Sequence, residues 1–181
     1  LFLKCVKKNH TNFLINNAGI RSRHKINKIN LREINKVLNV NFLSVYLMTK
    51  AYLKIVKKYK QSHSIVSISS IVGPNRGFDE LSLYAASKGA LEAGMKSLAI
   101  EYANKNVRIN CIAPGFIKTS YYENFKKNKP SLYKWTKSRT PLKRWGKPEE
   151  VADTVEFLIS SKSSYITGTV IYVDGGWMAN A

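Results

Sequence analysis

The chain has 181 residues, 44% of them hydrophobic, enough for one domain with a real core. Its 30 lysines and arginines against 11 acids give a net charge of +19, but no apolar run approaches the roughly 18 residues that a bilayer crossing needs. Cys5 and Cys111 have neither metal-ligand nor disulfide-framework spacing, so no metal is expected and a reducing cytoplasm is the expected compartment.

The charge excess is mostly lysine, scattered along a chain also rich in asparagine and isoleucine. The densest clusters, "KKYK" at 57–60 and "KKNK" at 126–129, do not form a base-stacking platform, which argues against nucleic acid as the main partner. Anionic substrates or cofactor phosphates would still gain from the field. The first residue is leucine, and the opening "LFLKCVKKNH" is too short in apolar residues for a signal peptide, so the sequence is expected to be part of a longer chain.

Short apolar runs alternate with helical patterns, which predicts parallel strands joined by helices. "NFLINNAG" (12–19) reads as a strand ending in a glycine turn. Residues 31–59 carry Ile34, Leu38, Phe42 and Val45 at helical spacing and read as one long helix. "HSIVSISS" (63–70) is a second strand, rich in β-branched residues. A helix over 84–103 follows, with a face of small residues suited to close packing. "VRINCIAPG" (107–115) is a third strand, stopped by Pro114 and Gly115. Residues 116–147 are polar, lysine-rich and aromatic and read as a mobile lid with short helical pieces at best. "PEEVADTVEFLI" opens with Pro148 and acids in its first turn, both helix-start signals. "GTVIYVDGG" (168–176) is the last buried strand. There is no internal repeat or linker, so residues 1–181 are read as one α/β domain with a doubly wound parallel sheet.

Tyr84 and Lys88 stand at i and i+4, on one helix face. A tyrosine hydroxyl normally titrates near ~10. A cation one turn away favours the phenolate, and the pair is expected to give a proton donor and acceptor usable near neutrality. Alone, such a pair reads as a surface tyrosine beside a surface lysine. In an open α/β sheet, however, ligands bind beyond the carboxyl ends of the strands. Asn17, Ala18 and Gly19, then Ser69 and Ser70, then Pro114 and Gly115 all fall at those ends.

Seven motifs follow one another in the chain: "NNAG", "NVNF", "SISSIVG", "YAASKGAL", "RINCIAPGFIKT", "RTPLKRWGKPEEVA" and "YITGTVIYVDGG". In order and near-spacing they resemble the short-chain dehydrogenase/reductase family, over essentially the whole chain. The resemblance implies a Rossmann-like fold, NAD or NADP as cofactor, and interconversion of a secondary alcohol and a ketone. Tyr84 would be the general acid/base. Lys88 would lower its pKa and hold the nicotinamide ribose. Ser70 would hydrogen-bond the substrate oxygen, while Ser69 is read as structural. Asn41, rather than Asn39, would hold a water of a proton relay, a role compatible in this family with an amide that also satisfies a helix kink. Asn17, Ala18 and Gly19 would line the ribose region, with Pro114 and Gly115 close to the nicotinamide and Ile117 and Thr119 at its carboxamide. The resembled family also implies a homotetramer or dimer built on the helices from Leu31 and Tyr84.

Members of that family open with a strand and a TGxxxGxG turn that holds the pyrophosphate. No such turn occurs in these 181 residues, so the first βα units are read as missing from this chain. The "NFLI" strand is therefore expected to present an apolar edge, and these residues alone are expected to bind dinucleotide poorly. For substrate, Arg21 and Arg23, with Trp135, Arg139 and Trp145, look similar to sugar-acid and polyol dehydrogenases of the gluconate 5-dehydrogenase type, though Arg139 and Trp145 are as readily packing residues. A 3-oxoacyl-acyl-carrier-protein reductase is the alternative enzyme. A truncated, non-catalytic oligomer partner is the alternative of another class.

Overall fold

The computed structural model describes residues 11–56 and 58–180. Cys5 lies outside the described residues. Four strands form one parallel sheet: β1 (Phe13–Asn16), β2 (His63–Ile68), β3 (Val107–Pro114) and β4 (Val170–Val173), in the order β1-β2-β3-β4. Leu14 pairs with Ile65, Ile65 with Ile109 and Ile112 with Ile171, so the strands are in register at their apolar centres. Parallel strands need long crossovers, and each crossover here carries helices.

Alternation along β2 and β3 sends successive side chains to opposite faces. Ile65, Ile109 and Cys111 join Leu14, Tyr52, Leu53, Leu91 and Met95 in one core layer. That layer packs beneath α2 (Ser44–Val56) and α3 (Ser82–Tyr102), with α1 (Leu31–Leu38) preceding them in the chain. Val66 and Ile112 point the other way and meet Leu158 of α6 (Pro148–Ile159). Both faces are covered, which is the expected doubly wound α/β arrangement, and it explains why β2 and β3 read as nearly continuous apolar runs.

Three expectations change. The helix expected over 31–59 is two helices joined by a π-helical segment, Asn39–Leu43, and α2 ends at Val56. The wider turn brings Asn41 fully indoors, where its amide finds backbone partners. The helix from Tyr84 starts two residues earlier, at Ser82. The expected loose lid over 116–147 instead contains α4 (Tyr121–Asn128) and α5 (Pro130–Arg139). Rings of Phe116, Tyr122, Phe125 and Tyr133 surround Trp145 at centroid distances of 5.1–5.6 Å, and Trp145 Nε1 donates to Thr136 Oγ1 at 2.9 Å. Aromatic burial supplies the order that composition did not suggest.

As expected, β1 is an edge strand among the described residues, and Phe13 and Ile15 are 41% and 40% exposed. No helix among the described residues is long and apolar enough to cross a membrane.

Candidate active site

The carboxyl edge of the sheet brings Ser70, Tyr84 and Lys88 together. Ser70 follows β2 in a turn where its Oγ accepts from Val72 N at 3.1 Å, and it lines the same cavity as Tyr84. Tyr84 enters on the first turn of α3 and lines a cavity of about 750 Å³ including its open mouth. Lys88, one turn on, is buried and donates from Nζ to Ile68 O at 2.7 Å, with Nζ 5.9 Å from the Tyr84 ring centroid.

The electrostatics differ from the expectation for Tyr84. Its hydroxyl is pushed above its ordinary value by burial, against opposing pulls from the Ser70 hydrogen bond and the Arg21 charge. Lys88 is itself lowered to about 8 by burial, against the charge effects of Cys111 and Glu92. The lysine is spent on a carbonyl rather than on the phenol oxygen, so desolvation outweighs it at Tyr84.

Asn41 uses its side-chain amide to hold backbone and side-chain groups. Its Oδ1 accepts from Ile20 N at 2.8 Å, and its Nδ2 donates to Ile20 O at 2.8 Å and to Ser87 Oγ at 2.9 Å. Ser87 Oγ in turn donates to Tyr84 O at 2.7 Å. Both amide hydrogens are used within the protein. The side chain pins the turn after β1 to the start of α3, the kink-satisfying use of the amide, which is compatible with the relay role.

Asn17, Ala18 and Gly19 are exposed at the end of β1. A Cβ on Gly19 would lie 3.5 Å from Lys88 Nζ and 3.6 Å from Asn41 Oδ1, so the glycine keeps open the space over the ammonium. Gly115 lines the cavity, but a Cβ there would meet Asp174 Cα at 2.8 Å. Its glycine is therefore demanded by the turn after β4 as well as by any ligand. Pro114 closes β3. Ile117 Cδ1 lies against Gly146, and Thr119 is exposed with its amide bonded to Ile117 O. This exposed, glycine-backed surface over a lysine fits the nicotinamide and ribose of a dinucleotide. The residues that would take a pyrophosphate in a glycine-rich turn are not in the sequence.

The remaining cavity wall has two characters. Phe78, Leu81, Leu132 and Trp135 make an apolar side, while Arg21, Arg23 and Lys129 bring positive charge to it. Arg23 reaches Glu80 at 4.0 Å. Arg139 and Trp145 are not on this wall. Arg139 lies 5.5 Å over the Trp177 ring and donates to Asn180 O at 3.2 Å, which is the packing alternative. Sequence reasoning missed Ser87 and left Glu92 unremarked. Glu92 is buried and accepts from Ser69 Oγ at 2.5 Å.

A parallel α/β sheet with serine, tyrosine and lysine converging at its carboxyl edge defines a class, the dinucleotide-dependent oxidoreductases. Over residues 5–178 the chain matches the family described as enoyl-(acyl carrier protein) reductase, and it belongs to the short-chain dehydrogenase/reductase family of NAD(P)-dependent oxidoreductases. It is 41% identical over 174 residues to 3-oxoacyl-(acyl-carrier-protein) reductase FabG of Buchnera aphidicola subsp. Schizaphis graminum, covering 95% of this chain and 68% of that protein. It is 34% identical to 5-keto-D-gluconate 5-reductase of Escherichia coli K12, covering 91% of this chain and 64% of that protein. Among solved structures it superposes, at a TM-score of 0.90 and 30% identity, on a Beutenbergia cavernae candidate NAD(P)-dependent gluconate 5-dehydrogenase with bound NADP. That match covers 98% of this chain and 70% of that one. The chain thus spans about two thirds of the length of each of these proteins.

Proposed function

We propose that this site interconverts a secondary alcohol and a ketone, with Tyr84 as general acid and base. The observation that carries the reading is that Ser70 and Tyr84 line one cavity wall, with Tyr84 one turn before the buried Lys88. In reduction, Tyr84 gives its proton to the substrate carbonyl oxygen while Ser70 donates a second hydrogen bond to the same oxygen. In oxidation, Tyr84 takes the proton back from the alcohol. Lys88 keeps positive charge beneath the developing phenolate and faces the ribose hydroxyls. Asn41 acts through Ile20 and Ser87, fixing the first turn of α3. Asn17, Ala18, Gly19, Pro114, Gly115, Ile117 and Thr119 hold the nicotinamide half of NAD or NADP. When bound, that cofactor supplies or accepts the hydride.

The substrate is a small carbonyl compound or alcohol carrying an anionic group, of the sugar-acid or polyol type. Arg21, Arg23 and Lys129 on the cavity wall support that choice, since a carboxylate is well held by guanidinium and ammonium groups. A 3-oxoacyl thioester is the second reading, favoured by the apolar side formed by Phe78, Leu81, Leu132 and Trp135. Turnover of 5-ketogluconate against acetoacetyl thioesters, in protein from the complete reading frame, separates the two. A strong thioester preference ends the sugar-acid reading, and no turnover of any ketone returns the non-catalytic partner.

The protein is further proposed to be a cytoplasmic homotetramer or dimer. Leu31, Leu47 and Ile100 on α1, α2 and α3 are 70%, 52% and 82% exposed, an apolar display suited to a second copy. Light scattering at micromolar concentration reads the assembly directly.

A further inference from the structure

Two residues on α3, one turn apart, grip the end of β2. Lys88 Nζ donates to Ile68 O, and Glu92 Oε1 accepts from Ser69 Oγ, while Tyr84, one turn earlier, lines the cavity with Ser70. Positions 84, 88 and 92 share one helix face, so a single rigid element holds two successive residues at the strand end and presents Tyr84 beside the third. The loop then folds back over the same face. A Cβ on Gly73 would stand 3.5 Å from Ser70 O, 3.7 Å from Lys88 Cβ and 3.7 Å from Glu92 Oε1.

Glu92 is 1% exposed, and its second oxygen, Oε2, is buried with no hydrogen-bond partner. Burial pushes the Glu92 carboxyl above its ordinary value, and the Ser69 hydrogen bond and the charges of Lys96 and Lys88 oppose that rise and favour the carboxylate. The charges facing it are Lys88 and Lys96 on its own helix, and the titratable group facing it from β3 is the Cys111 thiol. Lys88 is the buried one of the two lysines.

We propose that Glu92 is a positioning residue of the active site: through Ser69 it fixes the loop that carries Ser70, and its charge offsets that of Lys88 below the Tyr84 pocket. The proposal rests on the reading of Tyr84 as acid and base. Burial holds Lys88 down, to about 8, and the Glu92 charge opposes that fall. Removing the charge therefore lets the lysine lose its proton at lower pH.

Glu92→Gln keeps an oxygen to accept from Ser69 and removes the charge. Ser69→Ala does the reverse. Protein from the complete reading frame, labelled with carbon-13 at lysine Cε, gives the Lys88 titration by NMR, assigned with Lys88→Arg. In Glu92→Gln the Lys88 midpoint falls below about 8, and the alkaline limb of the kcat/KM profile moves down with it. In Ser69→Ala the midpoint stays and kcat drops about tenfold, with KM within about twofold. An unchanged Lys88 titration with a superimposable pH profile in Glu92→Gln overturns the proposal, as does full kcat in Ser69→Ala. Should Glu92→Gln fail to fold, the Ser69→Ala split decides. The NMR reading needs no turnover, so failure of the proposed reaction and failure of the Glu92 proposal remain distinguishable.

Discussion

The two ends of β2 bury polar groups in opposite ways. At the amino end His63 is 2% exposed, with Tyr52 Oη 3.2 Å from its Nδ1, the rings of Tyr52 and Tyr59 around it, and Nε2 without a partner. Burial lowers the His63 pKa, so the ring is held neutral. At the carboxyl end a lysine and a carboxylate are buried together, with serine hydroxyls and a tyrosine aligned to them on one helix face. A lone buried group sheds its charge and serves as packing. In the set arranged by α3 burial likewise pushes Lys88 down and Glu92 up, but each shift is opposed by the other's charge, an opposition that His63 lacks. Polar burial by itself is no sign of function, whereas aligned polar burial at the ligand edge is.

Lys88→Met tests that contrast most severely. Activity is expected to fall about 100-fold or more in a steady-state assay, with the fold kept by circular dichroism. Gly115→Ala attacks the frame rather than the chemistry. The added Cβ meets the Asp174 backbone at 2.8 Å, and Asp174 itself caps Gly176 N and Met178 N at 2.9 and 2.8 Å. Urea unfolding should show a loss of about 1–3 kcal/mol.

The amino end makes a pH prediction. His63 has a folded pKa below its unfolded value, so its contribution is present above the unfolded value, roughly 6.5, and is lost as pH falls below it. Tm should drop by a few degrees on acidification through that window, and His63→Phe should remove that component. The smallest effect belongs to Arg144→Ala. Its bidentate bond to Glu150, at 2.8 and 2.6 Å, together with the Lys147 amide, holds Glu150 down at about 2. Both side chains are solvent-facing, so the loss in Tm should be within about a degree near neutrality, where it is fully present, and should vanish as pH falls through the carboxylate range and Glu150 is protonated in both proteins.

The strands and most helices were legible because periodicity and Pro/Gly stops are local signals, as at Pro114 and Pro148. Tyr84 and Lys88 were legible as an i, i+4 pair, and Ser70 by its place at a strand end. The π-helical segment was hidden within a continuous apolar pattern, although two asparagines among apolar neighbours, Asn39 and Asn41, marked it. The order of residues 116–147 was hidden because it comes from Trp145 meeting rings of two helices and the preceding loop, which composition does not reveal. Glu92 was available to the same spacing logic, one turn beyond Lys88, but an acid on a small-residue helix reads as solvated until its burial is known. The direction of the Tyr84 shift was missed for a related reason: sequence gives the distance to a charge but not the cost of desolvation.

The most direct test of the central claim is ketone-dependent oxidation of reduced nicotinamide cofactor by the protein from its complete reading frame, wild type beside Tyr84→Phe. The account predicts turnover in the wild type and a loss of about 100- to 10,000-fold in the variant, with cofactor affinity retained. Equal turnover in the two proteins would contradict the assignment of Tyr84 as the group that moves the proton.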